Sequence, residues 1–183
     1  MMNDLFQKIA LLWCLLVGVL LPSSCAQQPI PENRPACSNA NFDQKVANTI
    51  RFTVPLIGVQ ELKNSTRDIL IFDTREWEEY QVSRIPGARY LGYKDFQVEM
   101  LENLPKDTPI ALYCSIGYRS EKIGEKLQKM GFTKVFNVYG SIFEWANQGY
   151  PLEDEKGNRT QRIHTYNQRW SQWVDSNRIE KIW

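Results

Sequence analysis

Short apolar runs alternate with segments of helical spacing along most of this chain, and that alternation predicts its architecture. Ile69-Leu70-Ile71-Phe72, Ala88 to Leu91, Pro109 to Tyr113 and Val135 to Val138 have the length and composition of strands, and Val54 to Ile57 reads as a further short strand turned at Gly58. Glu76 to Val82 then reads as a short helix carrying Trp77 and Tyr80. Lys94 to Leu104 places Phe96, Met100 and Leu104 four apart and stops at Pro105. Glu121 to Met130 presents Ile123, Leu127 and Met130 on one face and ends at Gly131, where a left-handed residue is wanted. Ile142 to Asn147 is the next helix. Upstream, Phe42, Val46 and Ile50 form a stripe over Asn41 to Ile50 with Asn41 as its cap, and Val59 to Lys63 makes a single helical turn. Strands that are apolar on both faces and separated by helices imply an α/β fold, with a central mostly parallel sheet, helices on both faces and right-handed crossovers. Binding sites in such sheets lie at the carboxyl ends of the strands.

The flanks differ from this middle. Lys8 precedes an uninterrupted apolar run from Ile9 to Leu21, followed by Pro22, Ser23, Ser24, Cys25 and Ala26. The run is shorter than the about 20 residues of a membrane span but suits a secretory signal. Cys25 after small residues resembles a bacterial lipoprotein box, although Pro22 stands where Leu is usual; cleavage after Ala26 and an uncleaved anchor are the other readings. The expected organisation is a signal peptide at 1–25, a Pro-rich tether and short helix at 26–50, the main domain at 51–152, and a Trp-rich tail at 153–183 that docks back on it. The tail holds His164, the only histidine, with Trp170, Trp173 and Trp183. Export would place the domain in the periplasm or on a membrane through a lipid anchor.

Of the four cysteines, Cys14 and Cys25 fall in the leader, leaving Cys37 and Cys114. In an oxidising compartment two thiols invite a disulfide, but Cys37 sits in what reads as a flexible arm and is expected to be a bystander rather than a resolving partner. No Cys-x-x-Cys pair is present, so neither thioredoxin-type chemistry nor a zinc ribbon is supported and no metal is expected. The net charge of +1 gives no electrostatic case for nucleic acid.

Cys114 stands between the apolar run ending at Tyr113 and the helical segment opening at Ser120. A sulfur held at a helix start meets unpaired N–H groups and partial positive charge, and Arg119 adds a full charge. A free thiol with pKa about 8.5 is lowered by one to several units in such settings, so Cys114 is a candidate nucleophile.

Four collinear segments give the chain a resemblance to the rhodanese family, over roughly Val59 to Leu152. They are Asp73-Thr74-Arg75 with Glu79-Tyr80, Ile85-Pro86-Gly87-Ala88, the loop Cys114-Ser115-Ile116-Gly117-Tyr118-Arg119-Ser120, and Gly140 with Trp145, Gly149 and Pro151. Arg84 stands where a histidine is common, and Ser141 where a second glycine is. The resemblance implies a three-layer rhodanese-like fold and an exported single-domain sulfurtransferase. Cys114 would take sulfur from a donor such as thiosulfate as a persulfide and pass it to a thiophilic acceptor, a small or protein thiol, without a cofactor. Ser115, Ile116, Gly117, Tyr118, Arg119 and Ser120 would form the anion cradle, with Arg119 also available to a sulfonate. Arg75 and Arg84 are candidates for the pocket rim, although Arg75 and Glu79, four apart, also read as a structural ion pair. Trp77 and Trp145 read as core anchors, Tyr118 as rim, and His164 as structural. The alternative reading is a persulfide carrier or interaction module with little turnover. Cysteine phosphatases of similar architecture place five residues between Cys and Arg to fit a phosphate; here four separate Cys114 from Arg119, which suits a single sulfur atom.

Overall fold

Each core strand carries apolar side chains on both of its faces, which is why the sheet lies in the middle of the molecule. In the computed structural model, which describes residues 29–65, 68–175 and 177–183, β1 (Leu56–Ile57), β2 (Leu70–Asp73), β3 (Arg89–Tyr90), β4 (Ile110–Tyr113) and β5 (Val135–Val138) form one sheet. Its order is β1-β5-β4-β2-β3, every pair parallel. Period-2 alternation sends Ile71, Ala111, Tyr113 and Val138 into one apolar cluster and Phe72, Ile110, Leu112 and Val135 into another. The first is completed by α1 (Ala40–Ala47), α2 (Val59–Ser65) and α5 (Ser141–Asn147), the second by α4 (Tyr118–Lys129) and a 3-10 turn at Val98–Leu101. Helix α3 (Trp77–Val82) opens with a capping box between Glu76 and Glu79. This is the expected three-layer α/β fold.

Several local expectations are corrected. Lys94 to Leu104 is not an α-helix, because the Gln97 amide donates to the Leu91 carbonyl at 2.8 Å, a bond the helix would need internally, and a 3-10 turn at Val98–Leu101 is what remains. Helix α1 is capped by Asn39, whose side chain accepts from the Phe42 amide at 3.0 Å, not by Asn41. Trp145 is buried in the core, but Trp77 is 48% exposed and stacks on Tyr80 and against the edge of Tyr90. The arm before α1 is pinned: Arg34 forks onto Asp43 and lies over the Tyr139 ring, and Cys37 is buried, so it does not occupy a free tether. The leader, with Cys14 and Cys25, lies outside the described residues.

The C-terminal segment is built into the fold. A hairpin of β6 (Leu152–Glu153) and β7 (Arg159–Thr160) leads to a parallel pair, β8 (Arg162–His164) and β9 (Glu180–Ile182), with a 3-10 turn at Trp170–Trp173 between them. Ile163 and Val174 belong to the core, Trp173 packs on Phe42 at 5.8 Å between ring centres, and the Asn147 side chain donates to the Trp173 carbonyl at 2.9 Å. Trp183 is exposed.

Arg75 and Asp73 are fully buried as a pair. The Arg75 guanidinium donates to Asp73 through Nη2 at 2.6 Å and Nε at 3.0 Å, and to the Ser83 carbonyl at 2.5 Å, while lying over the Tyr113 ring. The expected Arg75–Glu79 pair therefore does not form. Removing one partner of a buried pair strands the other charge. Arg75→Ala should cost about 3–5 kcal/mol of stability, read as a lowered urea midpoint in circular dichroism, whereas exposed Lys63→Ala should barely move it.

Candidate active site

Strand β4 ends at Tyr113, and the next residue, Cys114, opens a loop that runs into α4 at Tyr118. Three of the loop's carbonyls are taken from behind. The Ile142 and Phe143 amides, at the start of α5, donate to the Cys114 and Ser115 carbonyls at 3.2 Å each, and Asn137 of β5 donates through Nδ2 to the Gly117 carbonyl at 3.0 Å. The Cys114 amide donates to Ser141 Oγ at 3.2 Å, and that hydroxyl donates to the Val138 carbonyl at 3.1 Å.

With its carbonyls turned back, the loop directs N–H groups at the sulfur. Cys114 is 2% exposed, and its Sγ accepts from the Gly117 amide at 3.1 Å. Gly117 is at φ +122°, and a Cβ there would come within 3.3 Å of Ile50, so glycine is required. Burial pushes the Cys114 thiol up. The Arg119 charge, the Ser120 and Gly117 amides and the Ser120 hydroxyl outweigh it and hold the group below a free thiol. The Ser120 hydroxyl also lies 2.7 Å from Asn137 Oδ1, and its one proton serves that oxygen or the sulfur.

Arg119 is committed to a carboxylate. It forks onto Glu79 at 2.5 and 2.8 Å and reaches Ser115 Oγ at 3.0 Å, so it acts on Cys114 through space. Burial pushes the Glu79 carboxyl up, but Arg119 pulls it below the usual range and keeps it ionised.

A cavity of about 430 Å³ opens onto the loop, lined by Cys114, Ser115, Ile116, Tyr118 and Arg119. Tyr118 is 44% exposed and forms part of its rim, while Gly117 and Ser120 lie beneath. Neither rim arginine is in the lining. Arg75 is locked on Asp73 in the interior, and Arg84 is drawn away by Glu153 at 3.0 Å and the Glu155 carbonyl while lying over Tyr80. His164 is not in the lining either: its Nδ1 accepts from the Tyr166 amide at 3.0 Å, and burial pushes its pKa down.

The rest of the lining was missed: Lys45 and Thr49 at the end of α1, Glu76, Tyr93 and Lys94, and Tyr166 and Trp170 from the C-terminal segment. Two supporting residues were also missed. Asn137 is a polar residue inside an apolar strand, a legible signal. Ser141, noted only as a departure from glycine, is fully buried at φ +53° with its hydroxyl on the Cys114 backbone. Cys37 and Cys114 are both free thiols, and burial, with Glu144 and Asp43 nearby, pushes Cys37 well up, keeping it protonated.

A buried free thiol at the carboxyl end of the middle strand of a five-stranded parallel sheet, wrapped by a short amide-lined loop, defines a class shared with proteins of known sequence. The rhodanese-like domain family model matches residues 58–148. A sulfurtransferase from Allochromatium vinosum is 34% identical over 92 residues, 50% of this chain and 85% of that protein. The thiosulfate sulfurtransferase GlpE of Coxiella burnetii is 30% identical over 92 residues, 50% of this chain and 84% of that one. The solution structure of a rhodanese-like domain from Anabaena sp. superposes with a TM-score of 0.52 at 24% identity, over 58% of this chain and 83% of that one, a likeness of fold. The chain belongs to the rhodanese-like family, and the two relatives from Allochromatium vinosum and Coxiella burnetii are sulfurtransferases.

The pH dependence of Cys114 follows from its surroundings. Because the thiol is held below a free cysteine, its alkylation by iodoacetamide should reach its plateau at lower pH than that of a free thiol. Ser120→Ala removes a donor to the thiolate and should move the inflection up by about half to one pH unit.

Proposed function

We propose that this protein transfers a sulfane sulfur through a persulfide on Cys114. The observation that carries the reading is the buried Cys114 sulfur, lowered below a free thiol and facing the Gly117 amide at 3.1 Å at the floor of an open cavity. With thiosulfate as donor, the Cys114 thiolate attacks the outer sulfur. A new S–S bond forms, the bond to the central sulfur breaks, and its electron pair leaves on sulfite. The persulfide's terminal sulfur is an anion, and the loop amides that favour the thiolate suit it equally. An acceptor thiolate then attacks that sulfur, and the Cys114 thiolate leaves with the electron pair of the broken bond. Lys45 and Lys94, set against the one lining carboxylate Glu76, draw in anionic donors.

Cys114 is the carrier and Ser115 to Ser120 its cradle, with Gly117 and Ser120 donating to the sulfur. Arg119 positions charge rather than gripping the donor, since Glu79 already occupies its fork. The leader adds a proposal about place: export, with Cys25 as the lipidated residue.

Purified protein incubated with thiosulfate should gain one sulfur atom on Cys114 by mass spectrometry, then lose it to added thiol with release of Cys114. Cys114→Ser must abolish the gain. A loaded protein that does not discharge to small thiols would instead mark a carrier for a protein acceptor; no loading at all would overturn the enzyme reading. In a bacterial host fed labelled palmitate, the full chain should incorporate label and sediment with membranes, and Cys25→Ser should do neither.

A further inference from the structure

The cavity over Cys114 is walled partly by residues outside the family-matched stretch 58–148, from both ends of the chain. Lys45 and Thr49 come from the N-terminal side, and Tyr166 and Trp170 from the C-terminal segment. These additions touch one another and the loop. Lys45 Nζ lies over the Trp170 ring at 5.1 Å from its centre, and the Arg119 guanidinium lies over the Tyr166 ring at 5.4 Å. Tyr166 is held at φ +68°, a conformation that costs a bulky residue energy, with its amide tied to His164 Nδ1 at 3.0 Å. Half of its surface is nevertheless exposed, so the strain does not serve to bury the ring in the core.

Tyr93 and Tyr118 complete an aromatic enclosure with three cations, Lys45, Lys94 and Arg119, and one carboxylate, Glu76. A bare thiosulfate dianion is small, strongly hydrated and has no apolar surface to offer those rings. Rings and cations together match a molecule with a planar apolar body and an anionic sulfur-bearing end. Resting on the sulfur-transfer reading, we infer that Tyr166 and Trp170 are specificity-determining residues that select an organic sulfane-sulfur donor of the aryl thiosulfonate type over inorganic thiosulfate. The transfer is balanced: Cys114 thiolate bonds to the terminal sulfur of R–SO2–S⁻, the S–S bond breaks, and its electron pair leaves on the sulfinate R–SO2⁻.

Binding and loading are measured separately. On full-length Cys114→Ser protein, calorimetry with benzenesulfonate and methanesulfonate tests the wall without chemistry. The aryl compound should bind more tightly, and Tyr166→Ala should remove about three- to tenfold of that advantage, with Tyr166→Phe restoring it. On protein with Cys114 intact, the kcat/KM ratio of benzenethiosulfonate to thiosulfate should fall by a similar factor in Tyr166→Ala and in Trp170→Leu, mostly through KM. Equal binding of the two sulfonates, or an aryl preference untouched by either substitution, overturns the inference. An intact aryl preference that depends on Tyr166, with no sulfur ever found on Cys114, would sustain the pocket assignment and refute sulfur transfer. Should Trp170→Leu fail to fold, since Trp170 packs on the core, the exposed Tyr166 decides alone.

Discussion

The carbonyl groups of Cys114, Ser115 and Gly117 are each bound from behind by a donor on β5 or α5, and the site depends on that arrangement. A short loop has as many carbonyls as amides, and left alone its dipoles would point both ways. Fixing three carbonyls outward commits the opposing N–H groups to the interior of the curl, where the sulfur sits. The thiolate is thus stabilised by the Arg119 charge together with backbone amides whose orientation is set by the sheet and by the next helix. The Ser120 hydroxyl adds a smaller share to the same field.

Charge is managed in the same way. Arg119 beside a buried thiolate would be a costly cation without a partner, and Glu79 supplies one from α3. Of the pair, the Arg119 charge is the one that acts on the sulfur, while the two together leave the local sum near zero. Asp73 and Arg75, one layer deeper, do the equivalent for the end of β2. Two carboxylate–guanidinium forks therefore stand behind the reactive edge of the sheet, one structural and one electrostatic.

The strands were legible because burial on both faces leaves them mostly apolar: Val135 to Val138 stands as read despite Asn137, and Gly131 holds the left-handed position expected of it. Misreadings arose where a bond ran outside the local period. Lys94 to Leu104 has helical spacing, yet the Gln97 amide is claimed by Leu91. Arg75 had Glu79 four residues ahead on a helix, but a fork onto Asp73 two residues back was shorter and fully buried. At the site, Cys114 and its cradle could be read from one contiguous segment. Tyr166 and Trp170 could not, since nothing in their local pattern says that the chain returns across the mouth of the cavity.

The contact between Lys45 and Trp170 closes the cavity with segments from opposite ends of the sequence. During synthesis the sheet, the loop and Cys114 all emerge before Tyr166, Trp170 and strand β9. The nascent domain can therefore curl its thiol cradle while the mouth is still unwalled. Tyr166 and Trp170 follow the cradle in chain order, so the growing chain passes through a stage in which Cys114 is less enclosed than in the folded molecule.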